Sequence, residues 1–185
     1  MGNTIKQVQK KFSNRFNTWR RKVVELKQDY GAIHISSEEI VDSGRLATCY
    51  GIIIYDRERK EGVGAHFSSV DAWGCFDKKY LLGNLIEEIE NNLGNPSKLE
   101  AYVSADGFSK DSFAYDYRLA DRDKLFSSLK KLGINPDKIY KHFRNPEQST
   151  SLRFTLKTGQ NELTVYEGSD KYIYRGDLRK ADSFF

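Results

Sequence analysis

Two cysteines and three histidines in 185 residues leave little material for a disulfide framework or a metal centre. Cys49 and Cys75 stand in no CxxC pair, and no further sulfur or close histidine completes a ligand set, so a reducing compartment is expected and no zinc or calcium pattern is present. No apolar run approaches the ~18–20 residues of a membrane span, and no signal peptide is expected. Gly2 does not read as a myristoylation site, because the required hydroxyl residue is replaced by Lys6. There is no internal repeat and no low-complexity segment. Gly62-Val63-Gly64 is too short for a dinucleotide loop, and no carboxylate pair suggests glycosidase chemistry.

What is present is a soluble, globular composition: 38% hydrophobic, 30% charged, with a formal net charge of +4. One domain is expected at this length. The charge is uneven. Residues 1–28 hold eight basic residues against Glu25 alone, a net +7, which leaves −3 for the remainder. Ile5, Val8, Phe12, Phe16, Trp19, Val23, Leu26 and Tyr30 recur at spacings of three or four, predicting an amphipathic helix over 4–28 that ends at Gly31. Such a helix packs its stripe on the domain, or docks on an acidic partner or membrane surface. No nucleic acid partner is expected.

Further along, alternation predicts a strand over 32–36 and a short one near 38–41, followed by turn chemistry at Asp42-Ser43-Gly44. Helices are predicted over 77–93 and 121–132, each stopped by glycine, with an irregular stretch over 105–120 between the strand at 99–104 and the second helix. Strand-like runs follow at 137–143, 151–157 and 162–167, the last two joined by Thr158-Gly159-Gln160-Asn161. The tail alternates from Tyr172 and then turns polar. The pattern is α+β: mixed or antiparallel sheet layers flanked by two helices, with the N-terminal helix in addition. The domain division expected is 1–30 for that helix, 31–170 for the body and 171–185 for the tail.

The most informative run is Leu46 to Asp56 returning as Gly62-Val63-Gly64-Ala65-His66-Phe67. It reads as two strands joined by a charged turn. With the turn centred between Arg57 and Glu58, Cys49 and His66 lie directly opposite each other, with Cβ atoms roughly 4.5–5.5 Å apart. At that distance an imidazole holds a thiol as thiolate, an activated nucleophile. His34 and His142 read as structural or exposed.

This layout resembles the chemoreceptor glutamine deamidase (CheD-like) family, whose cysteine–histidine core is shared with toxin deamidases of the cytotoxic necrotizing factor type. The resemblance rests on Ala47-Thr48-Cys49, the apolar strand ending at Asp56, and Gly62-Val63-Gly64-Ala65-His66, and it continues to about residue 168. The sequence departs from the family's pattern at Ala47-Thr48, Ser104-Ala105-Asp106 and Gln148-Ser149-Thr150, which implies a different substrate from the chemoreceptors. The resemblance implies a cysteine-dependent protein-glutamine deamidase working through a thioester. Its substrate would be a protein bearing a glutamine, either a chemoreceptor in a bacterial cytoplasm or a host protein met by a secreted effector. Cys49 would be the nucleophile and His66 its base. Main-chain donors around Thr48 and Tyr50 would stabilise the oxyanion, and no cofactor is required. Ser43 is the hydroxyl carried over to orient His66, although Asp42-Ser43-Gly44 is also ordinary turn composition; Thr48 is the second choice. The alternatives are a catalytically inactive, partner-binding form of the same fold, and a thiol amidase or peptidase on the same core.

Overall fold

The computed structural model describes residues 22–46, 49–68, 78–105, 115–143, 152–167 and 170–175. Within them lie ten strands and two helices: β1 (Val23–Glu25), β2 (Ile33–Ile35), β3 (Ile40–Asp42), β4 (Cys49–Asp56), β5 (Glu61–Ser68), α1 (Lys78–Asn92), β6 (Glu100–Ala105), α2 (Tyr115–Lys131), β7 (Ile139–Phe143), β8 (Leu152–Lys157), β9 (Glu162–Glu167) and β10 (Asp170–Arg175). The strands form two five-stranded sheets, ordered β1-β3-β8-β9-β10 and β2-β5-β4-β6-β7. Each sheet is mixed: β1 pairs parallel with β3, and β6 parallel with β7.

Strand β4 organises the layers. All eight of its residues are buried, because both of its faces are covered. Tyr50, Ile52 and Ile54 face the helices, packing with Leu85 and Ile89 of α1 and Leu125 and Leu129 of α2. Cys49, Ile53 and Tyr55 face the other sheet, packing with Phe154, Leu156, Leu163 and Val165. A strand buried on both faces reads as a continuous apolar run, which is what Ile52-Ile53-Ile54 is.

Glycine lets the two sheets close on each other. A Cβ added at Gly51 would clash with Cε1 of the Phe154 ring and lie 2.9 Å from Leu46 Cδ1. At Gly64 it would meet Leu26 Cδ2 at 2.8 Å and Ile35 Cδ1 at 2.9 Å. Leu26 and Ile35, both in the inter-sheet core, take the space those side chains would fill.

The turn between β4 and β5 differs from the expected one. Asp56 pairs with Glu61, leaving a four-residue loop. Asp56 Oδ1 accepts from the N–H groups of Glu58 and Arg59, each at 3.0 Å, and Lys60 closes the loop in the left-handed region at φ 59°. This moves the register by two residues. Cys49 lies opposite Ser68, and His66 opposite Gly51. An even shift keeps both side chains on the sheet-facing side but makes them diagonal neighbours, roughly 7–8 Å apart.

Three further expectations change. The N-terminal helix does not reach residue 28: Val23–Glu25 is a strand paired with β3, and Leu26 is buried between the sheets. Sheet pairing outweighs the helical spacing there, and residues 1–21 lie outside the described residues. The second helix begins at Tyr115, within the stretch read as irregular. Its Phe126 lies under Lys141 Nζ at 4.5 Å and edge-on to Phe143 at 6.2 Å, which seats the helix against β7. The sheet also crosses the boundary drawn at 170, because β10 pairs with β9 from Asp170 to Arg175.

Replacing Gly51 with alanine should lower stability by about 1–3 kcal/mol, the usual cost of overpacking a dense core. Chemical denaturation should show that loss reduced when Phe154→Leu is combined with it, because the smaller side chain vacates the space the new methyl needs.

Candidate functional site

Polar side chains are scarce between the sheets: Tyr55 bonds Thr158 and Asn161 at one end, and a histidine-bearing group gathers at the other. Following the ladders across the second sheet, His66 pairs with Gly51, Gly51 with Ser104, and Ser104 with His142. The four positions make one transverse row. His66, Ser104 and His142 are all buried. Cys49 and Ser68 form the next pair outward, at the beginning of β4 and the end of β5. Strands β6, β7 and β9 also end within two residues of this row, at Ala105, Phe143 and Glu167.

His66 is held by the main chain. Its Nδ1 lies 3.1 Å from the Leu26 carbonyl, so Nδ1 carries the proton and donates it, leaving the lone pair on Nε2. Nε2 is buried and has no hydrogen-bond partner among the described residues. The segment after β1 wraps the end of β5 to achieve this. Gln28 bridges His66, Asp29 N–H donates to the His66 carbonyl at 2.8 Å, and Asp29 Oδ1 accepts from Ser68 N–H at 2.8 Å. Asp29 adopts φ 58° to make the bend.

Burial is the main influence on the ring and holds the imidazole below its ordinary value of 6.5. The Leu26 carbonyl, the charge of Asp29, the nearby Ser43 carbonyl and the charge of Glu25 oppose it without reversing it. His66 is therefore a neutral base at neutral pH.

Ser43 does come close to His66, but through its carbonyl. Its hydroxyl accepts from Phe154 N–H at 2.9 Å and donates to the Gly44 carbonyl at 2.8 Å. The Ser43 N–H donates to the Phe154 carbonyl at 3.0 Å. Asp42, beside it, accepts from Gly44 N–H at 2.9 Å and from Arg153 Nε at 2.8 Å. Burial pulls the Asp42 carboxyl upward, but the Arg153 and Gly44 hydrogen bonds and the Arg153 charge outweigh that and leave it below its ordinary value of 3.8. The Asp42-Ser43-Gly44 turn is thus a clamp between β3 and β8, with its hydroxyl already engaged.

The remaining expected site residues are dispersed. Cys49 is buried among apolar side chains of the inter-sheet core, diagonal to His66. Tyr50 faces the helices on the far side of β4. Thr48 and Cys75 lie outside the described residues. His34 is exposed on β2, as expected, whereas His142 is fully internal. Reading the sequence missed Ser104, His142 and Glu167 as a group. Glu167 Oε2, from β9 of the facing sheet, lies 3.5 Å from His142 Nε2. Among the described residues, no group of three or more His, Cys, Asp or Glu side chains could hold a metal ion. No described helix is long and apolar enough to cross a membrane, which says nothing of β-barrels.

No family model matches the chain, and neither does any curated protein. Two of its solved structural neighbours are bacterial proteins. One is the Neisseria meningitidis protein NMB0706, described as DUF152, at 13% identity and a TM-score of 0.45, covering 79% of this chain and 72% of that one. Another is the hypothetical protein YfiH of Bacillus licheniformis, at 14% identity and a TM-score of 0.46, covering 71% of this chain and 67% of that one. Likenesses of this size carry no argument about activity.

The expected membership of the chemoreceptor deamidase family is corrected accordingly. Neither neighbour is described as a deamidase, and no deamidase family model matches. The facing cysteine–histidine pair expected of that core is also not formed, because the hairpin loop leaves Cys49 and His66 diagonal. The deamidase function, the chemotaxis or toxin role, and the alternatives built on the same fold assignment fall with it.

Two measurements follow from the geometry. The unfolded chain binds a proton near pH 6.5 that folded His66 resists, so stability should fall as pH drops through 6.5 toward the folded value, with the slope reduced in His66→Gln. Replacing Ser43 with alanine leaves the buried Phe154 N–H without its acceptor, and the denaturation free energy should drop by about 1–3 kcal/mol.

Proposed function

We propose that the chain is an enzyme whose reacting base is His66, acting on a small substrate that enters at the histidine-bearing end of the inter-sheet layer. The observation carrying this reading is the state of the imidazole. One nitrogen is fixed by a main-chain carbonyl, while the other is buried, neutral and without a partner among the described residues. A buried polar atom left unpaired is unfavourable, and active sites are where such arrangements concentrate. The ring is also held by a segment, Leu26–Asp29, that bends along one edge of β5 and bonds it at His66 and Ser68.

In this reading His66 Nε2 takes a proton from a substrate hydroxyl, an N–H group or a bound water as a new bond forms. It returns the proton to the leaving group. Nδ1–H remains donated to the Leu26 carbonyl throughout, which steadies the imidazolium when it forms. Asp29 and Glu25 favour that cation electrostatically. Cys49 forms part of the wall and carries no covalent intermediate.

Incubation of the protein with a mixture of small polar metabolites, followed by mass spectrometry, tests the reading. At least one compound should be consumed by the native chain. His66→Gln should slow that consumption by about 10²–10⁴-fold, the usual contribution of a general base. Cys49→Ala should leave it within a few-fold. Turnover unchanged in His66→Gln, or abolished in Cys49→Ala, would overturn the assignment of the base.

A further inference from the structure

We infer that Ser104, His142 and Glu167 form a second reactive site, a serine nucleophile served by an imidazole and a carboxylate, which takes carboxylic esters. It is separate from the base assigned to His66. The three residues come from three strands in two sheets, β6, β7 and β9. The parallel register of β6 and β7 sets Ser104 directly beside His142 on the sheet-facing side. Glu167 reaches His142 from the opposite sheet, its Oε2 lying 3.5 Å from Nε2, with the two side chains 2% and 11% exposed. A nucleophile, a base beside it and a third group holding the base is the arrangement that activates a hydroxyl.

The Ser104 hydroxyl is the second, independent observation. It is fully buried and has no hydrogen-bond partner among the described residues. A structural serine at that depth would have satisfied its hydroxyl, as Ser43 does with Phe154 and Gly44. Each of the three residues also holds the last inward-facing position of its strand, beside Ala105, Phe143 and the end of β9. The cluster therefore lies at the rim of the layer rather than at its centre. Tyr102, two residues before Ser104 on the same face, and Phe154, packed edge-on to it at 5.3 Å, supply an aromatic wall for the acyl group.

The chemistry balances with water alone as co-reactant. The Ser104 oxygen bonds to the ester carbonyl carbon while its proton passes to a His142 ring nitrogen, and the carbonyl electron pair moves onto oxygen. That pair returns as the bond to the alcohol oxygen breaks, and His142 gives the proton to the departing alcohol. Water then attacks acyl-Ser104, His142 takes the water's proton, and it restores that proton to Ser104 as the carboxylic acid leaves. Glu167 positions the His142 ring throughout.

The test is labelling of the intact chain with a fluorophosphonate, the site located by peptide mass spectrometry, together with hydrolysis of a short-chain aryl ester. Label is expected on Ser104. It should fall at least tenfold in His142→Gln and Glu167→Gln, and be unchanged in His66→Gln. Ester hydrolysis should disappear in Ser104→Ala, a substitution small enough to keep the fold, with circular dichroism as the check. Absence of label from Ser104, or equal labelling in folded His142→Gln, would overturn the proposal. Because His66→Gln separates the two sites, failure here leaves the reading of His66 to its own test.

Discussion

The polar end of the molecule depends on a loop at the other end of a hairpin. Asp56 caps the turn by accepting two main-chain N–H groups, and Lys60 closes it in the left-handed region. Loop length sets strand register, and register sets every cross-strand neighbour for the eight pairs that follow. With this loop, Gly51 faces His66 and Cys49 faces Ser68. A two-residue turn would have placed the thiol against the imidazole. A chemical conclusion drawn from spacing alone is thus decided by a carboxylate about seven residues, roughly 23 Å of strand, away.

The same register explains why the layers close as they do. Gly51 stands between His66 and Ser104 in the transverse row, and the ring of Phe154 fills the space a side chain would occupy there. Phe154 is in turn fixed through its main chain by Ser43, whose hydroxyl and N–H both bond to it. The turn at 42–44, the ring and the glycine form one mechanical unit. It holds the sheets together and divides the row into two polar groups, His66 on one side and Ser104 with His142 on the other. The hydroxyl read as catalytic thereby supports the site from below, through packing.

Much of the architecture was legible because it follows local pattern. The continuous run Ile52-Ile53-Ile54 announces a strand covered on both faces, and the stripe ending at Gly94 announces the first helix; both are present. The strand at 162–167 and its hairpin with β8 are present as read. What misled was periodicity shared by two outcomes. Val23 and Leu26 fit a helical stripe, yet three residues of pairing with β3 and burial of Leu26 over Gly64 place them in the sheets. The candidate site was less legible still. His66 and Ser43 are neighbours, but through a carbonyl that sequence does not distinguish from a hydroxyl. Ser104, His142 and Glu167 stand 38 and 25 residues apart in sequence, and only the parallel crossover and the facing sheet bring them together.

The two histidines meet different surroundings on one face of one sheet. At His66 burial outweighs the Leu26 and Ser43 carbonyls and the Asp29 and Glu25 charges, so the ring stays neutral with its proton assigned to Nδ1. His142 faces a carboxylate from the other sheet across 3.5 Å. A neutral base and a carboxylate-backed imidazole at the two ends of one row handle protons in different directions. The first accepts a proton most readily when a cation develops beside Asp29. In the proposed second site His142 passes a proton between Ser104 and the leaving group, with Glu167 positioning the ring. Strand register, set by Asp56 and transmitted through Gly51, is what keeps these two environments apart.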